Sequence, residues 1–124
     1  MRVAEVIEYV KSLVPHTYYA YSFPTNSKDA CALVIVDGGL PTEETGVSRP
    51  AIQLLVRGNV DDIGGAEATA YEIYEALKYK RDFMIGGTSV VEMFAGQSAP
   101  LWTGKDEAKR PIFSLNFQLT IRPN

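Results

Sequence analysis

Histidine occurs once in the 124 residues, at His16, and cysteine once, at Cys31. A hydrolytic triad needs an imidazole to carry a proton between nucleophile and leaving group. His16 follows Pro15 at the end of a helical pattern, and no G-x-S-x-G nucleophile turn accompanies it. A helix-end position explains it better than catalysis. Cys31 sits inside "ACALVIV", the most apolar run of the chain. A reactive thiolate needs a positive, accessible setting, so Cys31 reads as a packing residue. One His and one Cys also fall short of a closed zinc shell. Asp61, Asp62 and Glu67 could offer oxygens to a hard cation, but they lack the alternating spacing of a calcium loop. Acidic residues ahead of a helix are accounted for by its dipole. "TGKDE" lacks the upstream glycine and the following Ser or Thr of a phosphate loop, and the aspartates of "GNVDDIGG" would repel a phosphate. Trp102 and the tyrosines at 18, 19, 21, 71, 74 and 79 could stack nucleic-acid bases, but such platforms sit in positive grooves. The net charge is −3, which favours packing or an interface for these rings. The expectation is a protein with no catalytic residues, no metal and no cofactor.

The elements that would position these residues follow from periodicity. Val3, Val6, Ile7, Val10, Leu13 and Val14 recur at helical spacing, giving a helix over about 2–14 that Pro15 ends. The aromatic segment at 17–22 reads as a strand, and "PTNSKD" as a polar loop. The run at 30–37 is apolar on both faces and reads as a central strand. "DGGLPTEETGVSRP" holds three glycines and two prolines without periodicity, so 38–50 reads as a long loop. A strand over 51–58 alternates Ile52, Leu54 and Val56 against Gln53, Leu55 and Arg57. A helix over 65–79 buries Ala66, Ala70, Ile73 and Leu77. "IGG" marks a turn, 88–96 reads as a strand, and 97–110 as a second long loop. The fold class expected is α+β: one domain over 1–124, with a mostly antiparallel or mixed sheet of about five strands and two helices on one face.

The last strand, over 111–122, is the clearest. Phe113, Leu115, Phe117, Leu119 and Ile121 occupy one face. Ser114, Asn116, Gln118 and Thr120 occupy the other, polar yet uncharged until Arg122. A purely solvated strand face usually carries Lys and Glu, so a protein contact competes with solvent as the explanation.

At this length the chain can bury about two thirds of its unfolded surface, enough for one domain. An acidic balance argues against a grip on nucleic acid built from basic residues. The lone cysteine implies no oxidising compartment. Glu5 and Glu8 interrupt what a signal peptide would need as its apolar core, and a seven-residue apolar run cannot span a bilayer. The expectation is a soluble intracellular protein without a membrane partner.

One combination carries a family resemblance. It runs from Gly38 and Gly39 through "IQLLVRG", the helix with Ala70, Ile73 and Leu77, and "SAP" at 98–100 to "GKDEAKR" at 104–110 and "FSLNFQL" at 113–119. In order and spacing it resembles the tail-terminator, or minor capsid, proteins of long-tailed bacteriophages, over about residues 30–124. Lys109, where a small residue is expected beside Arg110, and the 41–50 loop depart from the pattern.

The resemblance implies a hexameric ring at the head-proximal end of the tail tube, stopping its growth and docking the head connector or stopper protein. DNA would pass through the lumen, and the ring would sit at the tail–neck junction after assembly in the host bacterial cytoplasm. Candidate contact residues are Ser114, Asn116, Gln118, Thr120, Arg110, Asp106 and Trp102. An acidic segment, Asp61 and Asp62 or Glu43 and Glu44, is expected to face the channel, where it would not hold DNA. Two other readings stay open: a connector or stopper of the neck, and a cytoplasmic small-ligand module walled by Trp102 and Tyr71.

Overall fold

The structure is a computed structural model that describes residues 1–24 and 30–123. Most of the "PTNSKD" segment, from 25 to 29, therefore lies outside the described residues.

Two helices and a mixed sheet make up the fold, in the order α1 (Val3–Leu13), β1 (Tyr18–Ala20), β2 (Cys31–Leu40), β3 (Arg49–Arg57), α2 (Ile63–Leu77), β4 (Tyr79–Ile85), β5 (Thr88–Ala95), β6 (Leu101–Lys105) and β7 (Pro111–Ile121). The strands lie side by side as β1-β2-β3-β7-β5-β4, with β6 also paired to β7. Among the described residues only β1 and β2 run parallel. The α+β class holds, but among the described residues the sheet has seven strands where the pattern leads to about five.

The two additional strands have identifiable reasons for being hidden. β4 begins directly after α2 with no Gly or Pro between them, and its centre reads Lys80-Arg81-Asp82. Charges at a sheet edge erase the apolar alternation that marks a strand. β6 is five residues long, contains Gly104 at φ +103, and lies inside the stretch read as a loop over 97–110. It continues the line of β5 along the same edge of β7: Ala95 lies opposite Phe117 and Leu101 opposite Ser114. The 38–50 segment is likewise shorter as a loop than its composition suggests, because β2 extends to Leu40 and β3 starts at Arg49.

β7 is the axis of the sheet. Its apolar residues pair in register with those of β3: Phe113 with Val56, Leu115 with Leu54, Phe117 with Ile52. These join Val6 and Val10 of α1 and Ala66, Ala70, Ile73, Tyr74 and Leu77 of α2 in one core. Both helices thus pack on the same sheet face. Asp62 caps α2, its carboxylate accepting from the Gly65 amide at 3.0 Å. This satisfies one of the free donors of the first turn. At α1 the Arg2 amide donates to Glu5 Oε1 at 2.9 Å. Gly86-Gly87 makes the two-residue turn between β4 and β5, with Gly86 at φ +56 as tight hairpins require.

Candidate interaction surface

The face of the sheet opposite the helices is built from the alternate residues of the same strands. Leu55 lies beside Ser114, Gln53 beside Asn116, and Ala51 beside Gln118. The row continues through Phe94, which pairs with Gln118, and through Glu92, which pairs with Thr120. One end of this face is closed. Arg57 is 2% exposed, with its guanidinium carbon 4.4 Å from the centre of the Phe23 ring. Ser114 is 5% exposed, and its hydroxyl accepts from Gln53 Nε2 at 3.2 Å and Asn116 Nδ2 at 3.3 Å. Ser114 therefore lends little surface to a contact. At the other end Gln118 is exposed, and Gln53, Asn116 and Thr120 are half-buried. The open part of the polar face is accordingly Gln53, Asn116, Gln118 and Thr120.

Asp106 and Arg110 have a local task. The Asp106 carboxylate accepts from the amides of Ala108 at 3.0 Å and Arg110 at 2.9 Å, and from Arg110 Nε at 2.8 Å. Together these clasp the turn between β6 and β7, in which Lys109 adopts φ 62. The departure of Lys109 from the family pattern falls at this left-handed position, which glycine, lacking a Cβ, adopts at least cost. Desolvation acts to raise the Asp106 pKa, but the Arg110 amide, its guanidinium and the Ala108 amide outweigh it and hold the group below the ordinary value of 3.8.

A depressed carboxylate stabilises the fold above its unfolded pKa, and the contribution is lost as pH falls through the folded value. Hydrogen exchange of the Ala108 and Arg110 amides should therefore accelerate as pH is lowered below about 4, relative to other turns. Asp106→Asn should remove that excess pH dependence. An unchanged profile in the variant would assign the protection elsewhere.

Two of the other candidate acids have cationic partners. Asp61, at φ 56, accepts from Lys105 Nζ at 2.9 Å, which keeps its pKa low. Glu43 pairs with Arg49 across the β2–β3 turn, whereas Glu44 is exposed and forms no ion pair among the described residues. Trp102 lies on β6, half exposed, with its ring edge-on to buried Phe113 at 5.2 Å. Tyr71 makes its ring contact with Tyr74 instead. His16 is half-buried with its ring edge toward Tyr18, and burial lowers its pKa. Cys31 is buried. No group of three or more His, Cys, Asp or Glu gathers among the described residues, and no pocket is found there.

The bacteriophage tail terminator protein family matches residues 6–123, from the first buried turn of α1 to the end of β7. The chain belongs to this family. It is therefore a structural protein of a bacteriophage tail, and a component of the virion. Two solved structures share the fold. A chain from the virion of a native gene transfer agent particle aligns at a TM-score of 0.69 and 16% identity, over 90% of this chain and 83% of that one. A second solved chain aligns at a TM-score of 0.60 and 16% identity, over 98% of this chain and 92% of that one. No curated protein matches significantly. No helix of this terminator-family chain is long and apolar enough to cross a membrane, among the described residues.

Several surface residues of the terminator fold escaped sequence reasoning. Leu40, Met84, Phe94 and Leu101 are large apolar side chains between 41% and 65% exposed, as is Tyr79, one of the rings read above as packing or interface residues. All lie on β2, β4, β5 or β6. Alternation cannot find them, because an apolar residue at a sheet edge has the same type and spacing as one in the core.

Proposed function

We propose that this chain forms a hexameric ring that caps the head-proximal end of the tail tube, stops its polymerisation and offers the docking surface for the head connector or stopper. The family match along almost the whole fold carries this reading. A tube of stacked rings grows until a subunit binds its end without presenting another copy of the growing surface. Such a subunit works by shape and contact, without catalysis. The open polar strip of Gln53, Asn116, Gln118 and Thr120 supplies hydrogen-bonding groups with little desolvation cost, which suits a contact with the tube or the connector.

The ring assembles in the host bacterial cytoplasm and remains at the tail–neck junction. A ring of chains that each carry −3 is acidic, so DNA slides through the lumen with little counterion release to hold it. The turn of Asp61 and Asp62 is the segment proposed to face that channel; a lumen lined by Lys and Arg would remove this detail.

Electron micrographs of tails from a virus lacking the gene test the proposal. Overlong tubes are expected, and tails of normal length that carry no heads would assign the chain to the connector instead. Gln118→Lys, at an exposed position, should leave thermal unfolding unchanged and reduce binding to purified tail tubes or to the connector. Wild-type binding to both would return this strip to solvent.

A further inference from the structure

Both margins of the sheet are open at the same level. β1 pairs with β2 only from Ala32 to Val34, so Ile35–Leu40 of β2 has no outer strand among the described residues. On the far side β4 pairs with β5 alone. One row of registered pairs joins the two margins: Asp37 to Ala51, Ala51 to Gln118, Gln118 to Phe94, and Phe94 to Tyr79. The four pairings between β2 and β4 are all antiparallel, so these two strands run in the same direction. They stand about 19 Å apart, four spacings of about 4.8 Å, and cannot meet within one chain.

The margins also carry opposite charge. Residues 37–49 include Asp37, Glu43 and Glu44 against Arg49, which pairs with Glu43, whereas β4 carries Lys80 and Arg81 besides Asp82, which pairs with Arg122. Among the described residues Asp37 and Glu44 form no ion pair, and neither does Arg81. Each margin has exposed apolar surface as well: Leu40 is 65% exposed on one, and Tyr79 and Met84 are 58% and 53% exposed on the other.

We infer that the β4 margin of one copy lies beside the Ile35–Leu40 margin and acidic turn of the next copy, with Arg81 toward Asp37 and Glu44, and Tyr79 and Met84 against Leu40. A second copy is the occupant because each margin supplies the charge the other lacks. Contact between two different surfaces at equal height, by rotation about an axis along the strands, has no step and can close into a ring; a self-complementary contact stops at two. Side chains carry the contact, because Asp82 at φ 51 and the irregularity between Asp37 and Leu40 interrupt a continuous backbone ladder. The inference deepens the ring proposed above and rests on it.

The test is sedimentation velocity over a concentration series for the wild type, Asp37→Lys, Arg81→Glu and their double variant, alone and with purified tail tubes. Each single reversal should raise the concentration for half-assembly about tenfold, and the double variant should return to within about threefold of the wild type. Thermal unfolding of each variant is measured alongside. Leu40→Glu, at the exposed end of the Ile35–Leu40 margin, is a second probe that should block assembly of a folded chain. Rings from the wild type and all single variants alike would overturn this interface while leaving the ring intact. Loss in the single variants without recovery in the double would overturn the pairing. A wild type that forms no ring, even on tubes, would overturn both the ring and its joint.

Discussion

Phe117→Ala should lower the free energy of unfolding by about 3–5 kcal/mol, the range for removing a buried aromatic ring. Phe117 has no exposed surface and lies on the central strand, between Ile52 of β3 and Ala95 of β5. Its ring helps fill the layer between the sheet and the helices, and strands on both sides limit how far the site can collapse. Small domains are stable by about 5–15 kcal/mol, so the loss is a large share of the total. The neighbouring change Gln118→Ala points to the other face and should cost within about 0.5 kcal/mol. Urea unfolding of the two variants measures the contrast directly. Equal midpoints would mean that the faces of β7 are assigned wrongly.

Gly39→Ala should have the second large effect, concentrated on the β2–β3 arm. Gly39 adopts φ +62, and a Cβ there would stand 2.1 Å from the Arg49 carbonyl oxygen. That atom is backbone, so no side chain can swing aside. The pairing of Leu40 with Arg49 must open to admit the methyl group. Held strain of this kind costs about 1–3 kcal/mol. Because the arm projects beyond β1, the cost falls on its hairpin while the core of β3, β7 and the helices stays paired. Circular dichroism should show a folded chain with a lowered melting temperature. Hydrogen exchange should show lost protection near Leu40 and Arg49, and assembly should weaken if the arm forms the ring's joint. A melting temperature equal to that of the wild type would show that the turn accommodates a side chain.

The two predictions differ in how far the sequence foretells them. The alternation of Phe113, Leu115, Phe117, Leu119 and Ile121 is enough to place Phe117 inside, because a period of two along a strand leaves no other way to bury five apolar residues together. The same holds for α1 and α2, whose buried residues follow from spacing at three and four positions. Asp62 was legible as a residue that complements a helix start, and the hairpin at Gly86 and Gly87 as a turn. Gly39 could be read as a turn residue, but its clash with Arg49 could not, since it depends on a carbonyl ten positions away.

The candidate contact residues divide along the same line. Ser114 shares residue type and spacing with Asn116 and Gln118, yet the closed end of the sheet buries it while the open end exposes Gln118. Asp106 and Arg110 stood out as a pair within a family pattern. Their contacts show the pattern holding a turn together. Trp102 read as part of a loop and lies on a strand, because β6 is too short and too interrupted by Gly104 to show a period.

What the sequence determined by itself is local: which residues alternate, that a helix lies close to each expected span though α2 runs Ile63–Leu77 rather than 65–79, that the class is α+β, and which family order the segments follow. These depend on neighbours within a few positions, where backbone geometry alone sets the period. The tertiary structure decided which strands are neighbours, that the edge segments at Tyr79–Ile85 and Leu101–Lys105 are strands at all, and which polar residues are open. Those outcomes depend on pairing between distant segments. An edge strand is held by one partner's backbone rather than by its own apolar pattern. The margins where another copy could attach are thus the part of the chain that local periodicity is least able to reveal.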